Sequence, residues 1–235
     1  MTDHADLLDS LRGRLIVSCQ AYPGDPLRSP EHMAAMAASV ARAPVAGIRA
    51  EGVDDLRAIR TVTTLPLIGL WKDGDGDVYI TPTARHARAV AETGVDIVAV
   101  DATGRPRPDG GRLSDVFAAV HGSGRLVMAD VSTVEEGVRA ADLGADLVST
   151  TLSGYTPYSR RNEGPDLELV AELAGWLSVP VTAEGRIQSP DQARQAMAAG
   201  AWSVVVGTAI TAPAAIAERF AGALTSVLDT GGHCG

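Results

Sequence analysis

The chain has 235 residues, of which 46% are hydrophobic, and its formal net charge is −9. This length fits one large domain or two small ones, and the apolar fraction is sufficient for a single core. The acidic balance argues against a nucleic-acid partner, whose phosphates require a basic surface, but not against a small phosphorylated ligand. The apolar runs are too short to cross a bilayer and the N-terminus lacks a signal-peptide layout, so we expect no membrane partner and a cytoplasmic location.

The two cysteines, Cys19 and Cys234, predict neither a disulfide framework nor a metal site. No CxxC or Cys/His spacing suited to zinc occurs, since His233 and Cys234 are merely adjacent. Cys19 is expected to be a small buried residue, and the C-terminal TGGHCG is expected to be a flexible tail after about residue 229.

Apolar, β-branched runs alternate with Ala-rich amphipathic segments along the chain. This alternation predicts strands followed by helices, and no linker or composition break divides them. We therefore expect one domain over residues 1–235, with a short N-terminal segment before the first strand. The predicted strands are 15–19, 45–49, 67–71, 97–100, 125–129, 146–149, 179–184 and 202–206.

The helices predicted between these strands carry recognisable end signals. Pro30 suits a first helical position with Ser29 as its cap, and Ser132 or Thr133 is expected to cap the helix after the fifth strand. The segment DGDGDVYITP predicts a hairpin-like insertion. The predicted helices are 29–41, 53–61, 83–93, 114–121, 133–143, 166–177, one that begins at 189–190, and 213–228.

Eight strand–helix units favour an α/β fold, a (β/α)8 TIM barrel. The alternative is a doubly wound open sheet. That fold usually has a glycine-rich phosphate turn after its first strand, and SCQAYPGDP is not such a turn.

In a barrel the carboxyl ends of all strands face one mouth, so the residues at those ends converge. Polar and charged groups recur there although the strands themselves are nearly apolar. The residues at the predicted strand ends are Gln20, Arg49, Lys72, Asp101, Asp130, Thr150, Glu184 and Gly207.

Lys72 is the first candidate for chemistry. A lysine just past a strand is usually a solvated loop charge. If it is instead desolvated beside Arg49, both burial and the like charge lower its pKa and make it a usable base near neutral pH. Glu184, in VPVTAEGRI, is expected to be either a surface salt bridge or a functional carboxylate, and Asp130 is expected to cap the segment after it.

The loops after the seventh and eighth strands predict a phosphate site. Barrels often bind phosphate with these two loops, where backbone N–H groups suit a dianion. The residues concerned are Gly185, Arg186, Gly207 and Thr208. The simpler interpretation is that Gly207 only ends a strand.

Nine segments also carry a family likeness, in order along nearly the whole chain: LIVSCQA, GIRAEGV, LPLIGLWK, VYITPT, VDATGRPRPDG, MADVSTVEEG, STTLSGYTPYS, AEGRI and VVGTAIT. Through them the chain resembles the N-acetylmannosamine-6-phosphate 2-epimerase family of sialic acid catabolism, which interconverts N-acetylmannosamine 6-phosphate and N-acetylglucosamine 6-phosphate. The resemblance implies a (β/α)8 barrel of the ribulose-phosphate-binding type without metal or nucleotide cofactor, usually a homodimer, with a phosphorylated amino sugar as substrate.

By this resemblance Lys72 is the catalytic lysine and Glu184 the motif glutamate. The chain departs from the family pattern at Trp71, at the Gly/Asp-rich turn 73–77 and in its tail, which puts the geometry of the loop after the third strand in question. The residues predicted to contact the sugar are Gln20, Arg49, Asp101, Thr150 and Tyr155.

Epimerisation at C2 requires removal of a proton next to the C1 aldehyde of the open-chain sugar and its return to the other face. Our hypothesis is that Lys72 takes this proton, Glu184 orients Lys72 or relays the proton, and Arg49 and Gln20 hold the enolate. Two alternatives stay open. Lys72 could form a Schiff base in a phosphosugar aldolase or lyase, or the barrel could only bind a sugar phosphate as a sensor.

Overall fold

The computed structural model describes residues 4–230 and contains a closed barrel of eight parallel strands, each paired with the next and β8 paired with β1. The strands are β1 Leu15–Cys19, β2 Gly47–Glu51, β3 Leu67–Leu70, β4 Ile97–Asp101, β5 Leu126–Asp130, β6 Leu147–Ser149, β7 Val181–Glu184 and β8 Ser203–Val206. The predicted (β/α)8 barrel is confirmed, and the open sheet is excluded by the β1–β8 pairing.

Helices follow the strands and cover the outside of the barrel. They are α1 His4–Ser10, α2 Pro30–Val40, α3 Val53–Arg60, α4 Ala84–Ala91, α5 Leu113–Gly122, α6 Val134–Asp142, α7 Leu167–Trp176, α8 Pro190–Ala198, α9 Thr208–Thr211 and α10 Pro213–Thr230. The caps at Ser29 and Thr133 are confirmed, since their hydroxyls accept from the backbone N–H groups of His32 and Glu136. The prediction missed α1 and the short α9.

The helix α10 extends two residues beyond the predicted end at 228. The tail Gly231–Gly235, with His233 and Cys234, lies outside the described residues. Within residues 4–230 no helix is both long and apolar enough to span a membrane.

The amino end of the barrel is apolar and closed. Ile16, Ile68 and Leu147 belong to one buried cluster, and Leu7 and Leu8 of α1 pack against that cluster. The Trp202 indole N–H donates to the Leu8 carbonyl at 2.9 Å, which joins α1 to the start of β8. This closed end leaves the carboxyl end of the strands as the open mouth.

Candidate active site

A buried charged cluster lies inside the mouth. Arg49 of β2 is 1% exposed, and it reaches across the barrel to Asp130 of β5. Its Nη1 and Nη2 donate to Asp130 Oδ1 and Oδ2 at 3.1 and 2.6 Å, and Nη1 lies 3.2 Å from Glu184 Oε2 of β7. Two carboxylates therefore share one guanidinium.

Asp130 does not cap the segment after it, so that expectation is wrong. Its two carboxylate oxygens bind Arg49, and the Thr151 hydroxyl lies 2.7 Å from Oδ1. A cap would have required those oxygens to face the start of α6, whereas Thr133 occupies that position.

The charge states in this cluster follow from burial and pairing. Burial opposes the charge on Arg49, but Asp130 and Glu184 hold its pKa above the ordinary arginine value, so it stays a cation. Burial raises the pKa of Glu184 against the attraction of Arg49, and the nearby Asp130 charge raises it further. The Thr151 hydroxyl has one proton but lies within 2.7 Å of Asp130 and 3.0 Å of Glu184. A proton on Glu184 would supply the second of these hydrogen bonds.

Lys72 lies just past β3, half-buried at the rim of the same cavity. Its Nζ donates to Gln20 Oε1 at 2.7 Å, and the Gln20 amide donates to Ser18 Oγ at 2.9 Å. Burial lowers the pKa of Lys72, Arg49 lowers it further, and Glu51 and Glu184 oppose the shift. This is the desolvated lysine rather than the solvated loop charge.

Two loops meet on the opposite side of the cavity. Gly185 and Arg186 both have positive φ angles, +107° and +55°, and Gly207 precedes the first turn of α9. A Cβ at Gly207 would lie 3.2 Å from the Ser18 Cβ, so β8 and β1 approach closely there. The first N–H groups of a helix have no intrahelical partner, and Thr208, the first residue of α9, lines this cavity.

The Arg186 guanidinium is partly committed to the protein. Its Nε donates to the Gly164 carbonyl at 2.9 Å and its Nη1 donates to the Ser153 carbonyl. The guanidinium also lies over the Tyr155 ring, with its Cζ 5.5 Å from the ring centroid. Arg186 therefore holds the loop between β6 and α7 at the mouth.

These groups line one cavity of about 210 Å³. Most of the predicted site residues line it, namely Gln20, Arg49, Lys72, Tyr155, Glu184, Gly185, Arg186, Gly207 and Thr208. Asp101 and Thr150 do not. The carboxylate of Asp101 accepts from Thr103 and Arg105 of its own loop, and the Thr150 hydroxyl bonds to the backbone of Glu184.

The sequence interpretation missed several lining residues: Ser18, Tyr22, Tyr79, Thr151 and Gln188. Thr151 is one residue beyond the predicted Thr150, an error within the uncertainty of a strand end. One signal in the sequence was not used: Lys72 is the only lysine in a chain with 19 arginines, which marks it as a candidate for a specific role.

The described residues include no group of three or more His, Cys, Asp or Glu side chains that could hold a metal ion. Cys19 is a free thiol buried in β1, and burial raises its pKa to about 12. The charged groups described at the mouth are the amine of Lys72, the guanidinium groups of Arg49 and Arg186 and the carboxyl groups of Asp130 and Glu184.

Comparisons with known proteins point to one family. The family model described as "Putative N-acetylmannosamine-6-phosphate epimerase" matches residues 33–226. The "Putative N-acetylmannosamine-6-phosphate 2-epimerase" of Cutibacterium acnes is 48% identical over 221 residues, covering 93% of this chain and 96% of that one. The Clostridium perfringens SM101 protein of the same name is 47% identical over 216 residues, covering 91% and 98%.

A solved structure is similar over the same length. It comes from the structural and biochemical characterisation of the N-acetylmannosamine-6-phosphate 2-epimerase of Clostridium perfringens. That structure is 46% identical to this chain, covers 94% of it and 98% of its own chain, and superposes with a TM-score of 0.91. The chain therefore belongs to the N-acetylmannosamine-6-phosphate epimerase family.

Proposed function

We propose that this chain epimerises C2 of N-acetylmannosamine 6-phosphate to give N-acetylglucosamine 6-phosphate, by removing and returning a proton. The observation that carries the proposal is the half-buried Lys72 amine, with its lowered pKa, at the edge of a cavity that also holds Arg49 and Glu184. A binding module has no need of a base next to a carboxylate. The family relationship supports the same reaction.

In the proposed reaction the unprotonated amine of Lys72 takes the C2 proton of the open-chain sugar. The electrons of the broken C–H bond move to the C1 oxygen, which becomes an enolate. Arg49, held as a cation, and the protonated Lys72 stabilise that charge. Gln20, whose amide oxygen accepts from Lys72, aims the amine.

The proton returns to C2 from the opposite face. Glu184 is suited to this step because burial raises the pKa of its carboxyl above the ordinary value, which favours the protonated form. In a two-residue mechanism Lys72 and Glu184 act on the two faces. In a one-residue mechanism Lys72 serves both, and Glu184 positions it through Arg49.

The phosphate is proposed to bind where the loops after β7 and β8 meet. Backbone N–H groups at Gly185, Gly207 and Thr208 can surround a dianion, and the Thr208 hydroxyl adds a donor. Arg186 contributes positive charge at the same edge of the cavity while it holds the loop that carries Tyr155. Asp101 and Thr150 were predicted to contact the sugar; in this proposal they instead support the loops around the site, Asp101 through Arg105 and Thr150 through the backbone of Glu184.

Turnover of N-acetylmannosamine 6-phosphate followed by NMR in deuterium oxide tests the reaction directly. The wild type is expected to form N-acetylglucosamine 6-phosphate with deuterium at C2, and Lys72→Ala is expected to abolish both product and exchange. Undiminished exchange in Lys72→Ala would remove Lys72 from the role of base. Borohydride inactivation in the presence of substrate would instead indicate the Schiff-base alternative.

We also propose that the chain is a homodimer joined through α10. Phe220 and Leu224 lie four residues apart on one side of α10 and are 73% and 72% exposed. An apolar groove between α8 and β8, lined by Met197, Val204 and Ile210, offers a matching surface on a second copy. Light scattering is expected to give a dimer for the wild type and a monomer for Phe220→Glu/Leu224→Glu.

A cytoplasmic location is proposed because the substrate is a sugar phosphate, whose charge keeps it within the compartment where it is made. Cell fractionation would test this. Recovery of the protein outside the cytoplasm would contradict it.

A further inference from the structure

One buried histidine contacts the residues on both sides of Lys72. His86, in the first turn of α4, is 4% exposed. Its ring packs edge-on against Trp71, with centroids 4.6 Å apart. Its Nε2 lies 2.8 Å from Asp73 Oδ2. The chain immediately before and after Lys72 is thus held by a single side chain.

The other ring nitrogen of His86, Nδ1, holds the ring in place through a second hydrogen bond. Nδ1 lies 2.7 Å from the hydroxyl of Thr83, the residue before α4 begins. Arg85 lies on the solvent side, 3.1 Å from His86 Nε2 and 3.8 Å from Asp73 Oδ2. With both nitrogens engaged, the ring has one orientation, and that orientation determines where Asp73 is held.

The rest of the insertion fixes the backbone on both sides of Lys72, and the Asp73 N–H donates to the Tyr79 carbonyl at 3.0 Å. Trp71 and Thr81 exchange two hydrogen bonds, from the Trp71 N–H to the Thr81 hydroxyl at 3.2 Å and from the Thr81 N–H to the Trp71 carbonyl at 2.8 Å. Lys72 forms an antiparallel bridge with Ile80. The exposed turn 73–77 contains two glycines, which make its backbone flexible. The hydrogen bond between the Asp73 side chain and His86 restrains this turn at the end next to Lys72.

We propose that His86 is a positioning residue for the proton transfer, which keeps the Lys72 amine against Gln20 by holding Trp71 and Asp73. The inference rests on the proposed role of Lys72 as the base. The hydrogen bond from His86 holds the pKa of Asp73 below its ordinary value, which shows that the contact favours the charged carboxylate. Loss of the hydrogen bond between His86 and Asp73 opens the turn 73–77 and admits water to the Lys72 amine. The pKa of Lys72 then rises toward that of a free lysine.

The single lysine of the chain makes this directly measurable. Reductive methylation with ¹³C-formaldehyde labels only the Lys72 amine and the N-terminal amine, so NMR titration gives the pKa of Lys72 without substrate. His86→Ala is expected to raise this pKa and to lower kcat about 10-fold with KM unchanged, which is less than the roughly 100-fold that a misplacement of about 1 Å can cost.

Two conservative variants separate positioning from packing. The His86→Gln amide can reach Asp73, and it is expected to restore most of the kcat and the low pKa of Lys72. The His86→Asn amide can reach Thr83 but not Asp73, and it is expected to restore neither. Asp75→Asn, in the same exposed turn, is the control that leaves both quantities unchanged. If His86→Ala fails to fold, Asp73→Ala removes the same tie.

If folded His86→Ala keeps the wild-type kcat and the wild-type pKa of Lys72, the inference is wrong. It is also wrong if His86→Gln and His86→Asn restore these two quantities equally. A wild type that does not turn over the sugar phosphate would refute the proposed function. Because the pKa is read without substrate, the two failures are distinguishable.

Discussion

The mouth of the barrel contains two charged regions that are supported in different ways. In the inner region Arg49, Asp130 and Glu184 lie on strands and are 1%, 0% and 13% exposed, with one another as partners. At the rim Lys72 lies past the end of its strand and depends on Gln20 and on the insertion anchored by His86. Sheet register positions the first region, and loop contacts position the second.

This difference predicts whether a substitution in each region affects mainly stability or mainly activity. Charges fixed by strands are buried and paired, so removing one leaves an uncompensated charge and mainly affects stability. A half-buried amine at the rim contributes little to the fold and can be tuned by small movements of a loop. Substitutions in the inner region should therefore lower stability in addition to removing the catalytic roles of Arg49 and Glu184, whereas those at the rim should lower activity without lowering stability.

The largest expected effect on activity comes from Lys72→Met at the rim. We expect kcat to fall by about 10³-fold or more, because the base is lost. The folded-state pKa of Lys72 is lowered, so the wild type gains stability as pH rises from that lowered value toward 10.5, where the unfolded lysine titrates. Because methionine does not titrate, the stability of Lys72→Met should not follow this pH dependence. Without a charged amine to desolvate, Lys72→Met should be the more stable protein at pH 7.

Urea unfolding at pH 7 and pH 9, together with the turnover assay, measures both effects. Retention of more than a tenth of the activity, or a loss of stability at pH 7, would contradict the division between rim and inner region.

Arg49→Met should produce the largest effect on stability. It leaves Asp130 and Glu184 buried without their cation, which we expect to lower the free energy of unfolding by about 3–5 kcal/mol at pH 7. The loss should shrink at low pH, where the carboxyls are protonated. Arg57→Met, which removes an exposed pair with Asp54, is the control and should change stability by less than about 1 kcal/mol. Equal effects of the two variants would overturn the comparison.

Gly154→Ala should have an intermediate effect, which falls on binding of the sugar phosphate. Gly154 has a φ of +82°, and a Cβ there would lie 2.3 Å from Arg186 Nη1. The loop must shift and release Arg186, so we expect KM for the sugar phosphate to rise about 10-fold with a smaller change in kcat. Gly175→Ala, where a Cβ meets open space in α7, is the matched control. An unchanged KM would separate this loop from phosphate binding.

Asp55→Asn, near the rim, should have the smallest effect. Burial, Glu51 and Asp54 raise the pKa of Asp55 from 3.8 to about 6. The folded state thus holds this proton more tightly than the unfolded state, so the wild type loses stability as pH rises from 3.8 to about 6. Because Asp55 is partly exposed, we expect Asp55→Asn to be more stable by only about 1 kcal/mol at pH 7, and equal to wild type at pH 3.5.

Thermal unfolding between pH 3.5 and 8 measures this. The variant should also keep wild-type activity. A constant difference at all pH values would show that titration of Asp55 is not the cause.

Much of the fold and part of the site could be predicted from the sequence. Short apolar, β-branched runs and capping residues such as Ser29 and Thr133 are local signals, and they located the eight strands and most helices. Convergence of strand ends at one mouth then placed Lys72, Arg49 and Glu184 together. The helices α1 and α9 were missed because they have only seven and four residues, too few to show a repeating amphipathic pattern.

Tertiary structure alone decided which polar groups pair. Arg49 and Asp130 are 81 residues apart, and only closure of the barrel brings them within hydrogen-bond distance. The same closure puts the Thr151 hydroxyl at the carboxylates, while Thr150 bonds to the backbone of Glu184. Sequence determines which residues leave a strand at the mouth, because that depends on local periodicity. The partner of each side chain depends on register between distant strands and on loops such as the one tied to His86, which no local pattern encodes.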